Sequence, residues 1–271
     1  MPSVTREDGV QISWEARGDG PPVLLCVHWY AHPRVLDGVV QELARDHLVV
    51  TYDARGTGDS SPVGPYDLDT DADDLAAVLE EVGRAEVVLG WGDGAIRAAR
   101  AAKRHPDLIS GIVAVGGNPY AAAIRGTDSP LGSPAALEAF ERALRTNYRS
   151  TVRGLLRHSS LQMSEAEMRA RVEEQLAYCP QEVALARFET WTATDGLADT
   201  IALCDQIAIS VLLFETDFGP PQQFASRLAE MLPDADVRVI EDGPVSRPDL
   251  TADAVRGITA PRENPRPDAV R

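Results

Sequence analysis

The sequence predicts an α/β fold, a mostly parallel, twisted sheet with helices on both faces and a helical lid, and three observations carry that prediction. Continuous apolar runs at Val23–Val27 and Leu48–Tyr52 have the character of strands buried on both faces. Between such runs stand segments with apolar residues at helical spacing, which makes a β-α-β alternation. The stretch Val87-Val88-Leu89-Gly90-Trp91-Gly92-Asp93-Gly94-Ala95-Ile96 reads as a buried strand passing through a sharp glycine turn directly into a helix.

Taken in order, Ser3 to Glu15 alternates around Glu7-Asp8-Gly9 and predicts an antiparallel hairpin. The strand Val23–Val27 leads into the loop His28-Trp29-Tyr30-Ala31-His32-Pro33. Val35, Leu36, Val39, Val40 and Leu43 then share one helical face within Val35 to Arg45. After the strand Leu48–Tyr52, the loop Asp53 to Ser60 has glycines for a tight path, with Asp53 and Arg55 to brace it by hydrogen bonds. No helix with a following lysine opens from that loop, so it does not fit a phosphate cradle. Asp67 to Val82 is an amphipathic helix with an acidic first turn, which suits the positive helix N-terminus. Strands Glu86–Leu89 and Leu108–Val115 flank a helix from Asp93 to His105 that Pro106 stops, and Ile209–Phe214 and Val237–Ile240 complete the sheet.

Between the strands ending near Val115 and starting at Ile209 lies an insertion with helical patterns at Ser133–Tyr148, Ser164–Tyr178 and Glu182–Trp191. The second opens with Ser164-Glu165-Ala166-Glu167, a capping box. The expected organisation is a core of residues 1–118 and 200–258, a helical lid over 119–199, and a disordered tail over 259–271, where prolines alternate with charges.

Composition bounds the function classes. At 271 residues, 44% hydrophobic and 25% charged, the chain can bury one full α/β core. A net charge of −16 argues against nucleic acid and against an anionic membrane surface as partners. Cys26, Cys179 and Cys204 are scattered, which fits neither a disulfide framework nor a zinc site, and a reducing cytoplasm is the expected compartment. No signal sequence and no membrane-spanning run is apparent. No cofactor and no metal are called for.

The strand ending at His28, the Asp53–Ser60 loop and the Gly90-Trp91-Gly92-Asp93-Gly94 turn, in that order and spacing, resemble the α/β-hydrolase superfamily, which implies the α/β-hydrolase fold. In the family's elbow pattern G-x-S-x-G the nucleophile stands third, and here Gly92 holds that place between Gly90 and Gly94. Moving the register to Asp93 would put the large Trp91 at a flanking position that requires a small residue. Asp217 matches the place of the family's triad acid, and Gly243-Pro244 stands where the family has Gly-His. The resemblance is thus to an atypical member without the nucleophile and the histidine of the triad. It also implies an oxyanion hole built from the backbone N–H groups of Trp29 and Asp93.

The site expected on these grounds has Asp217 as catalytic residue, Trp29 and Asp93 as backbone oxyanion donors, and His28, Tyr30, His32, Trp91, Gly92 and Pro244 lining the pocket. His28 is expected to turn inward to the backbone, and the Asp93 side chain to cap its helix. Hydrolysis through an acyl-enzyme needs a hydroxyl, an imidazole and a carboxylate. The sequence reading therefore favours a pseudo-hydrolase with a degenerate triad, working as an isomerase, epimerase, lyase or cyclase on a carbonyl-bearing small molecule or peptide. A non-catalytic binding protein, and a hydrolase using Asp93 or an activated water, are the alternatives.

Overall fold

The computed structural model describes residues 1–28, 31–116, 133–159, 163–194, 196–214 and 221–259. Its sheet has the strand order β1-β2-β4-β3-β5-β6-β7-β8. The hairpin β1 (Ser3–Thr5) and β2 (Gln11–Arg17) is antiparallel, and β2 pairs antiparallel with β4 (Leu48–Tyr52). All other pairs are parallel: β3 (Pro22–Cys26) lies between β4 and β5 (Val87–Trp91), followed by β6 (Gly111–Val115), β7 (Ala208–Phe214) and β8 (Asp236–Ile240). This is the α/β-hydrolase fold that the order of motifs implied.

Alternation along the strands sends successive side chains to opposite faces, and each face has its own helices. Leu24, Val50, Val88, Ile112 and Val211 pack with α2 (Leu68–Val82), α3 (Gly94–Arg104), α8 (Gly196–Leu203) and α9 (Pro221–Met231). On the other face, Leu25, Val49, Leu89, Val113 and Leu212 pack with α1 (Asp37–Leu43) and α10 (Pro248–Thr259). The β6–β7 insertion adds α4 (Pro134–Thr146), α5 (Tyr148–Ser159), α6 (Glu165–Tyr178) and α7 (Gln181–Ala193), and Leu144 of α4 and Phe188 of α7 join this second core.

Several elements differ from the sequence expectation for local reasons. The helix expected over Val35 to Arg45 opens as a 3-10 turn, Pro33–Leu36, because His32 accepts from the Arg34 N–H and Pro33 presets the first turn. The helix expected over Ser133 to Tyr148 stops at Thr146, and α5 follows almost at once. The capping box of Ser164 and Glu167 forms as the sequence suggests. Helix α8 was not anticipated. It runs across the expected 199/200 boundary and seats Gly196 against Ile96 of α3, where a Cβ would not fit. Asp199 in α8 accepts from Arg100 (2.5 Å) and Lys103 (2.8 Å) of α3.

The Asp53–Ser60 loop is braced as its residues suggested. Asp53 accepts the Asp59 N–H at 2.9 Å, and Arg55, 1% exposed, forms a two-point pair with the equally buried Asp74 of α2 at 2.6 and 2.8 Å. Arg6 and Asp8 of the first hairpin join the same network, so the hairpin, the loop and α2 are locked to one another. The three cysteines are free and buried. No helix among the described residues is long and apolar enough to cross a membrane.

Candidate functional site

The site is built at the C-terminal end of β5, where the strand turns into α3. Gly90 and Gly94 are required by contact: a Cβ on Gly90 would run into the backbone of Ala95, and one on Gly94 into the carbonyl of Cys26. These two glycines let strand and helix approach closely, as the elbow pattern implies. Between them Gly92 has φ +60°, a left-handed conformation that favours glycine, and its N–H donates to Val115 O on β6 at 2.9 Å. The space above the Gly92 Cα is filled by the imidazole of His28, into which a Cβ at position 92 would project.

His28 is held there by Asp93. Its Nδ1 lies 2.9 Å from Asp93 Oδ1, and both residues are buried. The edge of Trp91 packs against the ring, with centroids 5.5 Å apart. The second carboxylate oxygen of Asp93 lies 3.2 Å from the guanidinium of Arg97, one turn along α3, and Arg97 also donates to Val27 O at the end of β3. Two sequence expectations are corrected here. The Asp93 side chain makes no capping bond to its own helix, and the His28 ring is set by a carboxylate rather than by backbone alone. The aspartate that the sequence treated as a helix cap is the partner of the histidine it treated as structural.

Beside the elbow, α3 and α7 border a small space of about 20 Å³, room for about one water, lined by Tyr66, Asp71, Asp93, Arg97, Arg187 and Trp191 among others. Arg187, on α7, donates to Asp71 of α2 and, at 2.8 Å, to Arg55 O. Burial pushes the Asp71 carboxyl above the usual range, opposed by the charges of Arg187 and Arg97.

The other expected site residues among those described, His32 and Pro244, lie apart from the elbow. His32 lines a separate, larger groove with Asp53, Glu174 and Tyr178, stacking on Tyr178 at a centroid distance of 4.5 Å, and burial lowers its pKa. Pro244 is buried in the turn after β8 and is not among the residues lining the elbow cavity. Trp29, Tyr30 and Asp217 lie outside the described residues. Among the described residues no cluster of His, Cys, Asp or Glu is placed to hold a metal ion.

The pimeloyl-[acyl-carrier protein] methyl ester esterase of Klebsiella pneumoniae (strain 342) is 29% identical over 165 residues, 60% of this chain and 62% of that protein. The protein of the same name from Aeromonas hydrophila is 25% identical over 235 residues, 86% of this chain and 87% of its own length. An esterase from Exiguobacterium antarcticum superposes with a TM-score of 0.79 at 17% identity, covering 95% of this chain and 99% of that one, a likeness of fold. These relatives overturn the expectation of a pseudo-hydrolase with a degenerate triad acting as an isomerase, epimerase, lyase or cyclase: they carry the names of ester-cleaving enzymes. The structure also fills the space that the sequence left open above Gly92, with the imidazole of His28 and its buried carboxylate partner. Residues 24–254 match the model of the alpha/beta hydrolase family, and with this fold and this elbow the chain belongs to that family.

Proposed function

We propose that the chain hydrolyses a small carboxylic ester, with the His28–Asp93 pair activating water at the elbow. The observation that carries this reading is the 2.9 Å contact of His28 Nδ1 with Asp93 Oδ1 directly above Gly92. A carboxylate at Nδ1 fixes the tautomer with its proton there and leaves Nε2 as the basic nitrogen. In the reaction Nε2 takes a proton as water oxygen bonds to the ester carbonyl carbon, and Asp93 stabilises the imidazolium. The proton then passes to the departing alkoxide as the carbon–oxygen bond breaks, which yields acid and alcohol and restores the neutral ring. Asp93 thereby takes the orienting role that the sequence assigned to Asp217. Its backbone N–H, at the positive end of α3, is the donor for the developing oxyanion.

The methyl ester named in the relatives' description makes simple methyl esters the first substrates to test. Methanol release from short-chain methyl esters should be measurable with the wild-type protein and should fall by about 10²–10⁴ in His28→Gln, the usual span for loss of a general base. A fluorophosphonate probe should leave the protein mass unchanged, because no side chain at position 92 attacks. Hydrolysis undiminished in His28→Gln would overturn the reading.

A further inference from the structure

We propose that the small space between α3 and α7 seats one ordered water, which joins Arg187 of the β6–β7 insertion to Arg97 and makes Arg187 a positioning residue for the His28–Asp93 pair. The positioning role rests on the hydrolase reading, whereas the water site does not. A volume of about 20 Å³ has room for one water and for no larger ligand. Asp71, Arg97, Arg187 and Trp191 all line it, and each has a buried polar atom with no hydrogen-bond partner among the described residues: Asp71 Oδ1, Arg97 Nε, Arg187 Nε and Trp191 Nε1. Buried polar groups are normally satisfied, and a buried water typically makes about three hydrogen bonds. One water accepting from the two Nε–H groups and donating to Asp71 Oδ1 meets that number.

The water closes a row in which carboxylates and guanidiniums alternate: Asp93, Arg97, Asp71 and Arg187, all buried. Asp93 Oδ2 lies 3.2 Å from the guanidinium of Arg97, the charges of Arg97 and Arg187 both act on the Asp71 carboxyl, and Arg187 donates to Asp71 Oδ2. At one end the row meets His28, whose Nδ1 is 2.9 Å from Asp93 Oδ1. At the other end Arg187 is tied to the core by the carbonyl of Arg55 at 2.8 Å. In a low-dielectric interior each member of such a row is held by its neighbours. Without Arg187, Asp71 competes with Asp93 for Arg97. Asp93 then loses the group that fixes it from behind, and the His28 ring loses its fixed partner.

A high-resolution crystal structure of the wild type should show the water within hydrogen-bond reach of Arg97 Nε, Arg187 Nε and Asp71 Oδ1. Proton NMR reads the His28 ring directly, through an Nδ1–H signal identified by its absence from His28→Gln. Arg187→Met should weaken that signal and lower kcat for a methyl ester about tenfold, with KM changed less than about twofold, a loss within the range that packed networks carry. Arg187→Lys keeps a charge beside Asp71 and removes the Nε donor; it should lower kcat about threefold, and it serves if Arg187→Met does not fold. Wild-type density without that water, or a His28 signal unchanged in the folded Arg187 variants, would overturn the proposal. The water present and the signal weakened, with no methyl ester cleaved by the wild type, would uphold the row and overturn the hydrolase reading alone.

Discussion

The imidazole of His28 and the missing side chain of Gly92 occupy one space: the ring stands where a Cβ on residue 92 would be. Glycine at the elbow therefore has two causes, a φ of +60° and the presence of the ring. Gly92→Ala should cost about 2 kcal/mol or more in chemical denaturation, from backbone strain and overpacking together. Adding His28→Ala should recover the overpacking part, giving a coupling of about 1 kcal/mol between the two sites. Additive losses would mean that the ring and position 92 do not compete.

A second stability prediction concerns the braced loop. Arg55 and Asp74 are each 1% exposed and joined at two points. Arg55→Ala should destabilise by about 3–5 kcal/mol, because it strands a buried carboxylate. Arg55→Lys should restore little of this, since an ammonium cannot reproduce the two-point geometry. Arg55→Met combined with Asp74→Leu should be milder than Arg55→Ala alone, and equal losses would argue that the loop, not the charge, sets the cost.

The fold was legible because each of its signals is local. Val23–Val27 and Leu48–Tyr52 are apolar runs, and Gly90 and Gly94 mark the strand-to-helix turn with nothing from elsewhere in the chain. The site was legible only by position. Gly92 read as a gap because its occupant comes from His28, 64 residues earlier, and the partnership of His28 with Asp93 is a tertiary contact with no sequence spacing to announce it. Asp93 looked like a helix cap because a carboxylate before a helix is favourable anyway; Arg97 one turn later was the available hint that it had another partner. The Asp71–Arg187 pair joins residues 116 apart and could not be inferred from either segment. Reaction class failed because inventory by family position counted a missing serine and histidine, whereas the relatives carry the names of ester-cleaving enzymes.

The pair Asp46–Arg256 ties α10 to the end of α1 and sets an acid-side dependence. Arg256 donates to Asp46 at 2.8 Å, and with help from His47 holds its carboxyl down at about 2, against 3.8 without partners. A depressed carboxylate pKa stabilises the fold above the unfolded value and loses that contribution as pH falls through the folded one. The wild type should therefore exceed Asp46→Asn in melting temperature at pH 5 to 7, with the difference shrinking between about pH 4 and 2. With the side chain of Asp46 46% exposed, the effect is a modest one and should weaken in salt. A difference that does not change across that range would show that Asp46 is held by something other than its charge.

The strongest test of the elbow is whether His28 and Asp93 act as one unit. If Nε2 of His28 draws the proton and Asp93 fixes the ring through the 2.9 Å contact at Nδ1, removing either group leaves the other without a task. His28→Gln and Asp93→Asn should each lower kcat/KM for a methyl ester by about 10²–10⁴, and the double variant should lose little more than the worse single one. Asn at 93 can offer its amide N–H to Nδ1, which turns the basic nitrogen away from the reacting carbon and makes the neutral substitution costly. Because Arg97 also leans on Asp93, each variant is to be compared at matched folded fraction, read from denaturation curves. Multiplicative losses, with the double variant falling by the product of the singles, would separate the two residues and leave His28 as a packing group over Gly92 rather than the base.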